Sequence, residues 1–437
     1  MAKCGAGIRR RHGLARLLGL ICLGSLVLVA CVPDPPPPEP EPIPESTTTT
    51  TAPPPPVSVC ASLGAAQLSE VASAAKPVDY VALTDGPEGP RVRTFNATSE
   101  ADKQAEINRM VARDETIVAV EPDSEVHSLA IDDPVYLGPP ASSSGPQWWV
   151  DRVGFEAAWG SGLAQGSGVR VAVVDSGVQA DHVDLGRKEA GGNVAAGVDE
   201  LPASVAGDER TDSGTHGTHV AGIVGAMDNS IGGIGGAPYV TIVPVRALNN
   251  GSGSISDVVA GILWAANPAQ GDADVINLSV GGVCSDSIYE ALVYAVGQGV
   301  TVVAAAGNCG CPNERLYAAA FSTKLVGVIA VAATTSSDTR ASFSNFNSYV
   351  TIAAPGNQIT STLPEGNAGY GIKSGTSMAS PVVAATAALV KAKCPAYTPA
   401  QVQNRLTSTA QDLGPAGWDT SFGAGIVRAD LAVAPAC

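Results

Sequence analysis

A series of long, continuous apolar runs is the feature that most constrains how this chain folds. The runs are residues 169–175, 241–248, 274–280, 300–306 and 326–333. Runs that do not alternate between apolar and polar positions are typical of strands buried on both faces of a parallel sheet. Helix-like stretches, residues 254–266 and 286–296, lie between them. The sequence therefore predicts an α/β fold, a mostly parallel sheet with helices on both faces.

The composition limits the classes of partner. The 437 residues carry a net charge of −16, which argues against binding nucleic acid or an anionic membrane surface through charge. Hydrophobic residues make up 45% of the chain and charged residues 15%, so there is ample material for a large core. The acidic balance by itself selects no substrate.

The N-terminus has the pattern of an export signal. Arginines at positions 9–11 and 16 precede a short apolar run, which predicts a signal peptide over residues 1–30. The run is shorter than a typical transmembrane helix. It ends in "LVAC", which resembles a bacterial lipobox, so Cys31 is a candidate for lipidation and membrane anchoring. The alternative is an ordinary cleaved signal with an incidental cysteine. Both kinds of signal predict an exported protein that is extracellular or at the cell surface.

Two segments of different composition follow. Residues 31–59 are rich in Pro, Thr and Glu and cannot form a core, so we expect a disordered linker. Residues 60–133 have ordinary composition. They contain a strand at 78–86, a helix at 99–112 capped by Ser99, and a strand at 116–126. They predict a small α+β domain.

Four polar residues stand at the ends of predicted elements, where open parallel sheets bind their ligands. Asp175 and Asn308 follow apolar strands, while His216 and Ser377 begin apolar helices. Taken singly, Asp175 and Asn308 could serve turns, and Ser377 could be an N-cap. His216 and His219 could bind a metal, but the H-E-x-x-H pattern requires a Glu that is absent here. One catalytic and one packed histidine is the better interpretation.

Taken together, the motifs resemble those of one family. "VVDSGV", "HGTHVAG", "INLSVGG", "AAAGN" and "SGTSMASP" occur in this order and are similar to the successive motifs of the subtilisin-like serine proteases, or subtilases. The order Asp175, His216, Ser377 is also that of the family's triad. The resemblance extends from about Trp148 to the C-terminus and implies a peptidase domain over residues 148–437. It implies that Ser377 is the nucleophile, His216 its base, Asp175 the orienting carboxylate and Asn308 an oxyanion donor.

The resemblance also implies a substrate pocket. Two segments would flank the pocket for the residue before the scissile bond, namely Ser279, Val280, Gly281 and Gly282, and Ala304, Ala305, Ala306 and Gly307. Their small side chains predict an open, apolar pocket for medium or large apolar residues. The segment at residues 317–321 lacks a proline that the family often has there.

A calcium site and an inhibitory prosegment are implied as well. Asp184 and Asn229 would supply side-chain oxygens to calcium, and Ile231 and Gly233 backbone carbonyls; the alternative is a glycine-rich loop without metal. Residues 60–133 resemble the family's prosegment, followed by a cleavage linker at 134–147. We expect cleavage between His127 and Gln147, which would release the mature enzyme from any anchor at Cys31.

Export makes disulfides plausible. Cys394 with Cys437 would tie down the C-terminus, and Cys284 with Cys309 or Cys311 would brace the loop beside Asn308. The odd count predicts one free thiol, and a three-cysteine metal site is the alternative. We expect a monomer that is made as a self-cleaving zymogen and hydrolyses polypeptides. The competing interpretations are an inactive binding protein, a serine esterase and a peptide ligase.

Overall fold

The computed structural model describes residues 78–86, 89–113, 115–128, 147–160, 165–229, 232–312, 314–364 and 369–437. The expected signal peptide, Cys31, the linker at 31–59 and residues 134–146 of the expected cleavage linker lie outside these ranges. Within them, no helix is both long enough and apolar enough to cross a membrane.

The helices and strands alternate through most of the described chain. The strands are β1 (Val78–Asp85), β2 (Arg91–Ala97), β3 (Thr116–Pro122), β4 (Glu125–Ser128), β5 (Arg170–Asp175), β6 (Val198–Asp199), β7 (Thr241–Arg246), β8 (Ser252–Ser254), β9 (Val275–Leu278), β10 (Val280–Gly281), β11 (Thr301–Ala305), β12 (Val328–Thr334), β13 (Ile352–Pro355), β14 (Ile359–Leu363) and β15 (Gly369–Lys373). The α-helices are α1 (Glu100–Val111), α2 (Trp148–Val153), α3 (Phe155–Trp159), α4 (His216–Gly225), α5 (Ile255–Ala266), α6 (Asp286–Gly297), α7 (Thr376–Lys393), α8 (Pro399–Ser408) and α9 (Ala429–Val433). Short 3-10 helices span Lys188–Ala190 and Ala319–Thr323.

A seven-stranded sheet forms the centre of the described chain. Its strand order is β13-β12-β11-β9-β5-β7-β6, and each neighbouring pair is parallel. The predicted α/β class is therefore confirmed. Because all strands run the same way, their carboxyl ends meet at one edge, where the chain order reverses around β5.

Helices cover both faces of this sheet. Strand β5 shows the division: Val171 and Val173 pack into one core with α4 and α7, while Ala172 and Val174 pack into a second core with α5 and α6. Since successive strand residues point to opposite faces, a continuous apolar strand fits a sheet that is covered on both sides.

A small domain packs onto the second core. In it β1 pairs antiparallel with β2 and β3, and Ser99 caps α1 by accepting from the Asp102 amide at 3.2 Å. The buried side chains of Val81, Leu83 and Ala119 belong to the same apolar cluster as α5 and α6. This domain therefore buries part of its sheet on the helices of the large one.

Two carboxylates strengthen that contact by capping helices. Glu121 accepts from the Asp286 and Ser287 amides at 3.0 Å each, at the start of α6, and from the Ser285 hydroxyl. Asp123 accepts from the Ser256 amide at 2.9 Å, at the start of α5. A helix N-terminus presents unpaired N–H groups and the positive end of its dipole, so each carboxylate satisfies donors that the large domain leaves open.

The disulfides differ in part from the expectation. Cys394 and Cys437 are bonded to each other, as are Cys309 and Cys311. The pairing of Cys284 with Cys309 or Cys311 is therefore wrong: the chain turns at Gly310 (φ 66°), which brings the Cα atoms of its two neighbours to 5.1 Å. Cys284 is also disulfide-bonded, so the prediction of a free thiol in this region is wrong as well.

Candidate active site

Three element ends carry the residues that the motifs single out. Asp175 is the last residue of β5, His216 the first of α4, and Ser377 the second of α7. A strand end supplies a fixed carboxylate, and a helix start supplies a side chain whose own backbone is fixed by the first turn. All three side chains are buried, with exposed fractions of 0% for Asp175 and Ser377 and 2% for His216.

Asp175 and His216 form a two-point contact. The imidazole Nδ1 lies 2.8 Å from both Asp175 Oδ1 and Oδ2. Asp175 Oδ1 also accepts from the Ser176 amide at 2.7 Å, which fixes the carboxylate plane. Because a carboxylate only accepts, Nδ1 carries the proton, and a neutral His216 then has an unprotonated Nε2. That Nε2 is buried and has no hydrogen-bond partner among the described residues.

Ser377 is held against the strand that follows β9. Its hydroxyl donates to the Ser279 carbonyl at 3.1 Å, and the Ser279 hydroxyl donates to the Ser377 carbonyl at 2.8 Å. Asn277 supports this pair, since its amide donates to the Ser279 hydroxyl at 2.9 Å and its oxygen accepts from Ser380 at 2.7 Å. The Ser377 hydroxyl thus bonds to a carbonyl rather than to His216 in this arrangement.

Asn308 presents an unused donor. Its Oδ1 accepts from the Thr376 amide at 2.9 Å and from the Thr376 hydroxyl at 3.0 Å, while that hydroxyl accepts from the Gly307 amide at 3.0 Å. These bonds fix which way the side-chain amide points. The Asn308 Nδ2 group is buried and has no partner in the described part of the chain. A fixed, unsatisfied N–H donor of this kind can stabilise a negative charge that develops next to it.

Asp212, which no sequence motif singled out, holds the loop before His216. Its half-buried carboxylate accepts from the Ser176 hydroxyl at 2.7 Å, the Gly214 amide at 2.9 Å and the Thr218 amide at 2.8 Å. Burial raises the pKa of Asp212. The available signal was its position: an Asp a few residues before an apolar helix is a typical cap for the first turn.

A strand from the small domain lies in the cleft beside these residues. Strand β4 pairs antiparallel with β10 on one side and β8 on the other. In this register residue 127 pairs with Gly281, residue 128 with Val280, and residue 126 with Gly253. An extended segment added between two strands in this way is the binding mode of an extended peptide.

The comparisons with known proteins agree with this geometry. A family model described as "Subtilase family" matches residues 166–425. The chain belongs to the subtilase family. The match starts just before β5 and ends beyond α8, so it includes Asp175, His216, Asn308 and Ser377.

Curated relatives extend the comparison to most of this subtilase. It is 35% identical to subtilisin E of Bacillus subtilis (strain 168) over 372 residues, 85% of this chain and 89% of the relative. It is 41% identical to the subtilisin of Bacillus pumilus over 269 residues, 61% of this chain and 91% of the relative. An extracellular protease of Xanthomonas campestris pv. campestris is 36% identical over 399 residues, 81% of this chain and 65% of the relative. The chain is therefore a serine endopeptidase.

The two segments expected to flank the pocket of this subtilase lie next to Ser377 and Asn308. Ser279 contacts Ser377, and β10 follows it with Val280 and Gly281, after which Gly282 pairs with Tyr317. Ala304 and Ala305 end β11, and Ala306 and Gly307 then lead into Asn308. Both segments are buried except Gly282, which is half-buried.

Three of the four residues expected to bind calcium share one corner of the subtilase. Asp184 is buried, and its Oδ2 accepts from the Gly233 amide at 2.9 Å and from the Tyr370 hydroxyl at 2.6 Å. Asp184 Oδ1 is buried with no hydrogen-bond partner among the described residues. Asn229 donates to the Val183 carbonyl at 3.1 Å, while Ile231 lies outside the described residues.

Gln147 is a second residue that sequence analysis missed at this corner. Its side chain donates to the Ile234 carbonyl and accepts from the Ile234 amide, both at 3.0 Å. It fell in the expected cleavage linker, just before the expected start of the peptidase domain. The contact across 87 positions ties the start of that domain to the loop that carries Asn229 and Gly233.

His219 differs from His216 in its surroundings. It is fully buried, and its Nε2 lies 3.0 Å from the Ile359 carbonyl and 3.2 Å from the Gly371 carbonyl. Burial, with the positive charge of Lys373, lowers its pKa to about 3. The ring is therefore neutral and donates from Nε2, which packs α4 against β14 and β15.

Proposed function

We propose that the subtilase hydrolyses peptide bonds through Asp175, His216 and Ser377. The observation that carries this proposal is the buried Asp175–His216 contact, which leaves Nε2, unpaired among the described residues, in a position to accept a proton. Ser377 Oγ attacks the scissile carbonyl carbon and gives its proton to His216 Nε2. Asp175 holds the ring and stabilises its charged form. The proton then passes to the leaving amine, and water hydrolyses the acyl-enzyme by the reverse roles.

The oxyanion of the tetrahedral intermediate would be bound by two donors. One is Asn308 Nδ2, which is fixed by Thr376 and has no other partner in the described chain. The other is the backbone N–H of Ser377, in the first turn of α7, where the helix dipole favours negative charge. Both donors lie on rigid elements, so little reorganisation is needed when charge develops.

We further propose that residues 60–133 are an inhibitory prosegment that the enzyme removes itself. Strand β4 occupies the cleft as an extended peptide would, between β8 and β10, and Ser377 is buried beneath this arrangement. Moving forward along β4, the paired residue steps from Gly281 to Val280, and Ser279, which touches Ser377, comes next. The scissile bond would then lie within two residues after Ser128, at the start of the expected window.

Calcium would be held beside Asp184. The unpartnered Oδ1 of Asp184 fits a cation, because a buried carboxylate oxygen without a donor is costly. Asn229 and the carbonyls of Ile231 and Gly233 would complete the oxygen set, and Gln147 lies against the same loop. A bound calcium would act structurally, by fixing this loop to the start of the peptidase domain.

The remaining proposals concern export. Residues 1–30 would be a signal peptide, Cys31 a lipidation site and residues 31–59 a linker that holds the zymogen off the membrane. Self-cleavage after Ser128 would release a monomeric peptidase that acts on polypeptides outside the cell. The substrate-like strand in the cleft supports a protease rather than an esterase.

A fluorophosphonate probe tests the proposed chemistry. We expect the processed wild type to gain one adduct on Ser377, found by peptide mapping, and to hydrolyse casein. Ser377→Ala should gain no adduct, and His216→Ala should react at least about 10³-fold more slowly. An adduct on another serine, or full reactivity in His216→Ala, would contradict the assignment.

A further inference from the structure

The side chain of Leu316 lies between the two segments that flank the substrate pocket. A methyl group on Gly281 would lie 2.4 Å from Leu316 Cδ2 and 2.5 Å from its Cγ. A methyl group on Gly307 would lie 3.3 Å from Leu316 Cβ. One half-buried leucine therefore contacts the backbone of both segments at once.

The gap that Leu316 enters opens beside the reactive residues. Gly281 pairs with strand β4, the segment in the position of a bound peptide. Gly307 directly precedes Asn308, whose side-chain amide has no partner among the described residues and is the proposed oxyanion donor. A substrate side chain that enters between Gly281 and Gly307 would therefore belong to the residue whose carbonyl is attacked.

Leu316 is held firmly in this place. The next residue, Tyr317, exchanges backbone hydrogen bonds with Gly282, at 2.9 Å and 3.4 Å. On the other side the Ala320 amide donates to the Leu316 carbonyl at 2.9 Å. The buried Tyr349 hydroxyl donates to the Ala306 carbonyl at 2.7 Å and also contacts the Glu314 carbonyl at 3.4 Å. These bonds attach the Leu316 segment to both flanking segments, so it forms a third, fixed wall.

We propose that Leu316 is a specificity-determining residue of this subtilase and limits the pocket to small and medium aliphatic side chains. Small residues at 279–282 and 304–307 predict an open pocket, but the four side-chain carbons of Leu316 occupy space that these residues leave. An aromatic ring cannot share that space with a packed leucine, because well-packed apolar sites tolerate added volume poorly. This inference rests on the proposed function of Ser377.

Hydrolysis of matched peptides tests the inference. The substrates are four-residue p-nitroanilides that differ only in the last residue, which is Ala, Leu or Phe. For the processed wild type we expect kcat/KM for Phe to be at least about tenfold below that for Leu. In Leu316→Gly the ratio of kcat/KM for Phe to that for Ala should rise at least about tenfold, the discrimination expected of a few methylene groups in a pocket. Leu316→Phe should lower kcat/KM for Leu and spare that for Ala.

A matched pair of variants separates specificity from folding. Leu316→Ala and Leu325→Ala remove the same atoms from half-buried leucines, but Leu325 packs on the second core cluster. Only Leu316→Ala should raise the Phe-to-Ala ratio, whereas Leu325→Ala should leave that ratio unchanged and kcat/KM for Ala within about threefold of wild type. An unchanged ratio in active Leu316→Ala or Leu316→Gly, or a wild type that prefers Phe, overturns the role of Leu316 alone. A wild type that cleaves none of the peptides and takes no probe at Ser377 overturns the proposed function and this inference with it.

Discussion

His216 and His219 are three residues apart on one helix, yet their surroundings give them opposite chemistry. His216 faces the Asp175 carboxylate with one nitrogen and keeps the other free. The Nε2 atom of His219 faces two backbone carbonyls in the buried interior, where a second proton on the ring would be costly. The spacing alone excluded a zinc-protease motif. Which ring is reactive depends on what faces it across the fold.

Asn308→Ala should lower kcat by about 10²–10³-fold with little change in KM, because its amide would bind only the charge that develops in the transition state. Steady-state hydrolysis of a p-nitroanilide peptide measures this. Asn404→Ala, at an exposed position on α8, is the control and should leave both constants unchanged. A fall in kcat below threefold for Asn308→Ala would remove it from the oxyanion site.

His219 should make the fold sensitive to acid. Its folded pKa of about 3 lies below the ordinary value of 6.5, so between these values the unfolded chain binds a proton that the folded chain refuses. Stability is therefore lost as the pH falls below 6.5, by up to about 1.4 kcal/mol per unit. The free energy of unfolding, measured with urea, should fall between pH 7 and pH 5 in Ser377→Ala. This fall should be about 2 kcal/mol larger than the fall in the double variant Ser377→Ala/His219→Gln. Equal drops in both chains would contradict this.

At the scale of elements, the sequence predicted the long strands well and the short ones poorly. The continuous apolar runs gave β5, β7, β9, β11 and β12 within a few residues. The hairpin of β14 and β15 was missed because residues 359–363 and 369–373 mix polar, aromatic and apolar side chains without a clear period. Strand β4 was missed because its pairing partners, β8 and β10, lie more than 100 residues away in the sequence.

The sequence motifs singled out the candidate triad and Asn308, but not the residues that surround them. Asp175, His216, Asn308 and Ser377 stand at element ends within recognisable motifs. Leu316 and Gln147 have no such motif, and their roles come from contacts with residues distant along the chain. The role of Asp212 could be predicted in part. Its position before a helix suggests a helix cap, but the sequence does not show which loop it holds.

The capping of two helices from outside predicts a strong contribution to prosegment affinity. Replacing a capping carboxylate by alanine typically costs about 1 kcal/mol, so Glu121→Ala and Asp123→Ala should each raise the inhibition constant of the recombinant prosegment about fivefold. Competition against peptide hydrolysis by the processed enzyme measures this constant. Glu100→Ala, exposed at the start of α1, should have no effect. If it weakens inhibition as much as the capping variants, the loss reflects the stability of the prosegment and not the caps.

At the scale of the whole molecule, calcium should link the start of the peptidase domain to the sheet edge. In Ser377→Ala, calcium at about 100 times its dissociation constant should stabilise the fold by about 2.7 kcal/mol, seen as a higher thermal midpoint than in excess EDTA. Adding Asp184→Asn should remove most of this response, because the carboxylate charge at the site is lost. A calcium response that is the same in both chains would place the ion elsewhere.

In the proposed zymogen, each chain is its own first substrate before it acts on other polypeptides. The small domain caps two helices and adds a strand that pairs with β10, whose register would direct the following residues toward Ser377. Folding and processing would therefore be coupled, because the strand reaches the nucleophile only when both domains are in place.

Intact-mass analysis of purified wild type and Ser377→Ala, each incubated with calcium, tests this claim most directly. We expect wild type to split within two residues after Ser128, with both fragments detected, and Ser377→Ala to remain uncut at that site. Cleavage of both chains at the same position would show that another protease matures the enzyme. An uncut wild type would contradict the self-cleaving zymogen.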